Sequence, residues 1–376
     1  MPTALLVGPY GHGTLAEDTL VDAFAAGLPG WRLATATLDV SGAMPTCEPV
    51  GPRMRPVLRQ ALESDAVVFG GGTLFTQLHP SSGRRPLGRL ASAAALTTAS
   101  GHRRPVAILG VGAAAVTSRA ASAFTRQIVR RSRLLVLGDE ESAAVLVGAG
   151  VPGPLRVGAD PSWVLLQPPL SAHGGGDSVL VVPPRLAPAG REELQVDRLV
   201  ATTRHLVGAG MSVELRAWER ACTPGRTGRE RGPRHDTLVA AVAEQAGRGV
   251  RVGPTPASLS DAVEVMRHVA AVVTYRFHGL VAAGAAGAPT VAVAHEPKLG
   301  ELAARLGQPA VQPGVDPPTL AQTVLATAAA GGPDPSAVKH EIAKADEGFR
   351  LLRVVLAGGR TDESDGIGAL PLRRWR

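Results

Sequence analysis

The segment VVTYRFHGLVAAGAAGAPTVAVAHEPKLGELA, residues 272–303, sets Arg276 and His278 two positions apart in otherwise small, apolar sequence. The apolar run before them reads as a buried strand, and the Ala- and Gly-rich run after them as a buried helix. Gly287-Ala288-Pro289 ends that helix before a second strand, which makes the segment a βαβ unit. Arg276 and His278 then fall at a helix N-terminus, where backbone N–H groups and the positive end of the helix dipole favour an anion. Arginine adds a forked, permanently charged partner for carboxylate or phosphate. A helix N-terminus disfavours an imidazolium until a dianionic ligand arrives, and a histidine tuned in that way suits acid–base chemistry. A structural role competes with this one, in which Arg276 caps a neighbouring carbonyl and His278 is a satisfied core residue. The residue pattern alone leaves both open.

In open parallel sheets ligands bind beyond the carboxyl ends of strands, so the residues directly after each apolar run carry most information. FGGGTLF, residues 69–75, follows such a run. Gly70, Gly71 and Gly72, with Thr73 beside them, would let the backbone approach a ligand closely. Their spacing is neither a phosphate-binding loop nor a dinucleotide fingerprint, and tight strand-to-helix packing explains the glycines as well. Asp160, after LRVGA, is expected to cap a short helix or to present a carboxylate to a ligand. Arg185 ends VLVVPPR, where its charge would enter from the first strand of the second half. HEPKLGELAARLG places His295, Glu296 and Lys298 past another strand end, and Lys298 there pairs with an anion or opens a surface helix. No histidine spacing in this stretch supports a metal. His12 and Glu17, in YGHGTLAEDT, read foremost as capping residues of the first βα loop.

Parallel sheets must position these residues. In the first half ALLVG, DAVVFG, PVAILGVG, RLLVLGD and LRVGAD alternate with helical stretches such as LAEDTLVDAFAAGL, in which Leu20, Val21, Phe24 and Leu28 share a face. A Pro- and Gly-rich stretch at 169–177 reads as a linker. SVLVVPPR, MSVELRAW, VRVG, AAVVTY and PTVAVAH then alternate with helices again. This is the rhythm of βα units, and 376 residues exceed the usual size of one core. The expected fold is α/β, with two Rossmann-like doubly wound domains at 1–168 and 178–357, a cleft between them, and a loose tail at 358–376.

The formal charge is +7, yet the arginines are scattered and aromatic residues make up only 3% of the chain. Base-stacking platforms are therefore scarce, and a small anionic ligand accounts for the arginines better than a nucleic acid. Cys47 and Cys222 are far apart and lack metal-ligand spacing, which points to a reducing compartment. No apolar run is long enough to span a bilayer, and the N-terminal run lacks a preceding basic region. A cytoplasmic protein without a membrane span is expected.

In order along the chain, DAVVFGGGTLF, ILGVGAA, GDEESAAVLVGAGV, VGADPSWVLL, VVPPR and TYRFHGLVAAGAAGAPTVAVAHEPKLGELAARLG resemble the polysaccharide pyruvyl transferase family over most of residues 1–310. The last segment is the most specific, resembling the family's Arg-x-His turn, small-residue helix, Gly-x-Pro, strand and acidic-Pro-Lys ending. The resemblance implies a glycosyltransferase-B-like pair of domains, the first on the acceptor side and the second on the donor side. It implies transfer of a pyruvyl group from phosphoenolpyruvate to hydroxyls of a sugar-containing acceptor, forming a ketal and releasing phosphate without a metal or organic cofactor. By the same resemblance His278 is the catalytic histidine, while Arg276 and Arg185 hold the donor's phosphate and carboxylate. Lys298 joins them on the donor side, with Gly70, Gly71, Gly72, Thr73, Asp160, His295 and Glu296 lining the cleft. The chain departs from the family pattern at Thr14-Leu15-Ala16-Glu17 (Asn-x-Gly-Asp in the family), at Gly138 (Arg) and at His295-Glu296 (Tyr-Asp). The first-half departures bear on the acceptor rather than the donor. The alternatives are a nucleotide-sugar-dependent glycosyltransferase of similar fold and a non-catalytic anion-binding relative.

Overall fold

A computed structural model describes residues 1–10, 14–36, 47–51, 53–77, 87–101, 104–153, 155–167, 173, 175–184, 192–219 and 235–359. The chain forms two compact units. Met1–His12, Leu20–Leu165 and Glu341–Arg376 make the first, and Gly13–Thr19 with Leu166–His340 the second.

The first unit opens with β1 (Thr3–Val7), α1 (Leu15–Gly27), β2 (Arg32–Ala36), β3 (Glu48–Val50) and α2 (Met54–Glu63). It continues through β4 (Ala66–Gly70), β5 (Thr73–Thr76), α3 (Gly88–Ser100), β6 (Val106–Ala114) and α4 (Arg119–Arg131). Then come β7 (Leu134–Leu137), α5 (Glu140–Gly148), β8 (Arg156–Val157) and a 3-10 turn at Pro161–Leu165. Its sheet is parallel in the order β3-β2-β1-β4-β6-β7-β8, with β5 also pairing β6. Both faces are covered, which is why AVVFG and VAILG read as unbroken apolar runs. On one face Val57, Ala61, Leu90, Ile128 and Leu146, from α2 to α5, pack with Phe69 and Ile108.

The second unit comprises β9 (Ser178–Val182), α6 (Glu192–Gly208), β10 (Ser212–Arg216), α7 (His235–Ala246), β11 (Val250–Gly253) and α8 (Leu259–Met266). After them come β12 (Ala271–Thr274), α9 (Phe277–Ala286), β13 (Thr290–Val293), α10 (Pro297–Arg305), β14 (Ala310–Val311) and α11 (Pro317–Ala330). A last helix, α12 (Pro335–Leu356), starts here and continues into the first unit. The sheet order is β11-β10-β9-β12-β13-β14, again parallel throughout. In each sheet the strand order reverses beside the unit's first strand, between β1 and β4 and between β9 and β12. These are the positions where strand ends part to leave a ligand-sized crevice.

The expected domain boundary at 357/358 is corrected by α12. From Glu341 onward the helix belongs to the first unit, because Phe349, Leu351, Leu352 and Val355 complete the core built by Phe24, Leu28, Leu6 and Val68. Phe349 meets Phe24 edge to face at 5.3 Å, an arrangement that aromatic quadrupoles favour. Likewise Gly13–Thr19, expected in the first domain, groups with the second unit, where Thr14 bridges Glu219.

One glycine makes this packing possible and yields a prediction. A Cβ at Gly27 would lie 2.2 Å from the Phe349 ring. Ala for Gly within a helix ordinarily gains about 1 kcal/mol, whereas overpacking a core costs about 1–3 kcal/mol. Since the ring is fully buried, overpacking wins: Gly27→Ala is expected to lower the Tm, and a raised Tm in a thermal melt would contradict this packing.

Candidate functional site

At the second unit's reversal point, β12 runs beside β9 with Thr274 opposite Val182. Arg276 occupies the N-cap position of α9 in an extended conformation and makes no side-chain cap bond. Its backbone is pinned instead by Thr274, whose Oγ1 accepts from the Arg276 N–H and donates to the Arg276 carbonyl, both at 3.1 Å. A Cβ at Gly279 would fall 2.3 Å from that hydroxyl oxygen, so the turn requires glycine there. The guanidinium thereby turns across the end of β9. Nε donates to the Pro183 carbonyl at 3.1 Å, and Nη2 to Glu219 Oε1 at 2.8 Å. The carbonyl-holding role read from the sequence is thus present, with the guanidinium spanning Pro183 and Glu219 at the strand ends.

Arg276 is only 8% exposed, so its pair with Glu219 sits largely out of water. There breaking the pair is costly. Glu219 lies three residues past β10 and pairs with Thr14 in an antiparallel bridge. It was not among the residues singled out from the sequence. The rule that found Arg276, inspecting the residues just past each apolar run, applies to it equally, and only its place at the head of a polar loop obscured it.

His278 is the second residue of α9 and is buried, its ring edge-on to Phe277 with centroids 5.4 Å apart. Every residue of α9 from His278 to Ala286 is buried, as a helix apolar all round should be. Gly287 ends it with φ 70°, a left-handed cap that glycine adopts without strain. The next strand end converges on the same place. Lys298 Nζ lies 5.3 Å from the Phe277 ring centroid and 3.2 Å from Glu296 Oε2, while His295 Nε2 lies 3.3 Å from Glu296 Oε1. Glu296 and Lys298 therefore make a neutralised pair beside an aromatic ring, rather than two independent charges.

Burial, the largest influence on Glu296, pushes its carboxyl up, but the His295 hydrogen bond and the Lys298 charge together carry it down to about 2. A carboxylate lowered from 4.5 to about 2 adds stability above its unfolded value and loses it as pH falls through that window. Glu296→Gln is accordingly expected to lower the Tm at neutral pH and to converge on the parent as the pH approaches about 2. A Tm difference independent of pH would show that the pair is not coupled to folding. At the end of β12, burial pushes the Tyr275 phenol up to about 12 against the opposing charge of Arg198, so Tyr275 stays a hydroxyl at working pH.

In the first unit the end of β4 is tightly packed. Tyr10 is buried and its hydroxyl donates to the Gly70 carbonyl at 2.6 Å; burial, then the charge of Asp160, pushes that phenol up. A Cβ at Gly70 would lie 2.2 Å from the Phe24 ring, and one at Gly71 2.4 Å from Leu20 Cδ1. Gly71 and Gly72 also have φ of 61° and 64°. Tight packing on α1 thus explains Gly70 and Gly71, both buried, while Gly72 and Thr73 are half-buried. Asp160 is the helix cap anticipated for it: Oδ1 accepts from the Ser162 N–H at 2.9 Å. Asp139 caps α5 in the same manner through the Ser142 N–H, and Ser142 Oγ accepts from the Ala113 N–H.

Of the departures from the family pattern, Thr14 acts as the N-cap of α1, its Oγ1 accepting from the Glu17 N–H at 3.2 Å. Thr14 and Glu17 have the spacing of a capping box. At Gly138 a Cβ would meet nothing closer than the Gly110 carbonyl oxygen at 3.4 Å, and nothing in the structure explains the glycine. Arg185, His12, most of the 169–177 linker and nearly all of the tail lie outside the described residues.

Two doubly wound parallel sheets, the second with charged side chains gathered at its reversal point, define a two-domain α/β protein of the glycosyltransferase-B-like class. Solved structures share this fold. UDP-GlcNAc 2-epimerase of Methanocaldococcus jannaschii, in complex with UDP-GlcNAc and UDP, aligns with TM-score 0.58 at 11% identity, over 95% of this chain and 100% of its own. A putative UDP-N-acetylglucosamine 2-epimerase from Listeria monocytogenes aligns with TM-score 0.60 at 9% identity, over 98% and 99%. Anabaena Alr3699/HepE in complex with UDP-glucose aligns with TM-score 0.53 at 15% identity, over 95% and 99%. The chain belongs to the polysaccharide pyruvyl transferase family, whose profile matches residues 24–297. That match takes in Glu219, Arg276, His278 and Glu296. No curated protein matches the chain.

Proposed function

We propose that this protein transfers a pyruvyl group from phosphoenolpyruvate to two hydroxyls of a sugar-containing acceptor, releasing phosphate and forming a ketal. The observation that carries this reading is the placement of Arg276 and His278 at the N-terminus of α9, beside the reversal point of the second sheet, within the stretch matched by the family. In the first step His278 gives a proton to the methylene carbon as an acceptor hydroxyl adds to the central carbon, and that hydroxyl's proton returns to the imidazole. A second hydroxyl then forms the other C–O bond as the C–O bond to phosphate breaks, its proton leaving with phosphate. Arg276, with its plane held by Glu219 and Pro183, offers fixed positive charge to the donor's carboxylate and phosphate. Arg185 and Lys298 are proposed to assist it, Lys298 after exchanging Glu296 for the ligand. The reaction as written requires no organic cofactor, and we place it in the cytoplasm.

The test is calorimetric titration with phosphoenolpyruvate, of the parent chain and of Arg276→Ala, beside a panel of nucleotide sugars. Heat from phosphoenolpyruvate that disappears in the variant is the expected result. The solved structures of this fold hold UDP and UDP-sugars. Heat from a nucleotide sugar alone would replace pyruvyl transfer by nucleotide-sugar chemistry on the same fold.

A further inference from the structure

On one face of the first unit, helices α2 to α5 form a layer whose buried side packs on the sheet. Its outer side is basic. Arg119, Arg126 and Arg130 recur at seven- and four-residue intervals along α4, which places them in one narrow stripe about 17 Å long. Arg133 lies two residues past the helix, and all four are exposed. Among the described residues none of the four is paired with a carboxylate. Arg126 Nη1 donates to the Ala149 carbonyl at 3.0 Å, which ties the stripe to the end of α5. A shallow groove of about 630 Å³ runs along it, lined by Ala123, Arg126, Gln127, Arg130 and Arg131. Arg55 on α2 and Arg89 on α3 extend the positive field and are exposed as well. The carboxylates of this layer do little to offset it. Glu63 is held by Arg59 and Asp65 by Arg104, leaving Glu140 and Glu141 in the first turn of α5.

A second observation separates possible partners. Of the six large apolar side chains exposed among the described residues, three lie on helices of this layer: Met54 and Leu62 on α2, and Val147 on α5. The one aromatic residue of these four helices, Phe124, packs against the core, so the face has no stacking platform for nucleic-acid bases. A helix layer that exposes arginines and solitary apolar side chains suits a phosphate surface over a hydrocarbon layer. No helix among the described residues is long and apolar enough to cross a membrane, so such a contact is peripheral.

We propose that the α2–α5 face, centred on the arginine stripe of α4, docks on the anionic surface of a lipid bilayer. The test is flotation of the full chain with vesicles of phosphatidylcholine alone, and with about 30% phosphatidylglycerol, a composition chosen to give a surface potential like that of natural anionic leaflets. Arg119→Gln/Arg130→Gln is the test variant, because neither residue carries the contact to Ala149. The parent is expected to float with anionic vesicles only and to be released at high salt. The double variant should lose about tenfold or more in partitioning, with Arg119→Lys/Arg130→Lys restoring it. Equal binding to neutral vesicles, no binding to anionic ones, or an unchanged double variant would overturn the proposal. Binding to dextran sulfate in preference to vesicles, with the same sensitivity to the variant, would reassign the face to a soluble acidic polymer.

Discussion

His278→Gln is expected to lower phosphate release from phosphoenolpyruvate in the presence of acceptor by about 10²–10⁴-fold, the usual contribution of a positioned general acid. Donor affinity should be largely retained. Glutamine keeps a polar side chain of similar reach at the start of α9, so the buried helix survives, but it cannot give up a proton to carbon. The split is the informative part: kcat falls while the calorimetric Kd stays near that of the parent. A variant with full turnover would remove His278 from proton transfer. A variant that loses donor binding as well would make its role one of shaping α9.

The second large effect is at Arg276. Arg276→Ala is expected to weaken phosphoenolpyruvate binding by about 2–5 kcal/mol, the cost of losing a buried charged partner. It also deprives Glu219 of its ion pair and Pro183 of a donor. Arg276→Lys separates these consequences, because it keeps the charge but loses the planar fork that spans two acceptors. Its melting temperature should stay nearer the parent's than that of the alanine variant, while affinity remains reduced. Glu219→Gln adds a third reading. If Glu219 serves to orient Arg276, this variant weakens donor binding through the guanidinium it holds. Unchanged affinity in Glu219→Gln would leave the ion pair with a purely structural purpose.

Much of the architecture was legible because it rests on local pattern. DAVVFG, PVAILGVG, SVLVVPPR and AAVVTY became β4, β6, β9 and β12, since strands buried on both faces carry nearly unbroken apolar runs. The glycine that ends α9 was legible for a similar reason, a left-handed turn being a local requirement. Several short or polar strands were not. RLATA, EPV and TLFT formed β2, β3 and β5 only through their neighbours in the sheet. The destination of α12 was equally hidden, because an amphipathic helix announces a buried face without naming the sheet it will cover.

The site divides along the same line. That Arg276 and His278 stand at the junction of a strand and a helix came from residue types within a dozen positions, and so did the capping by Asp160. The partners of Arg276 were not legible in that way. Glu219 and Pro183 are 57 and 93 residues away, and the parallel order β10-β9-β12 brings them together. The three glycines of FGGGTLF were ambiguous in sequence for the same reason, since the Phe24 and Leu20 side chains that exclude a Cβ come from α1. By itself the sequence determined the alternation of elements and the chemistry presented at strand ends, because periodicity and helix termini are short-range properties. Only the tertiary structure decided which charges are paired, because strand order sets that across separations no local pattern records.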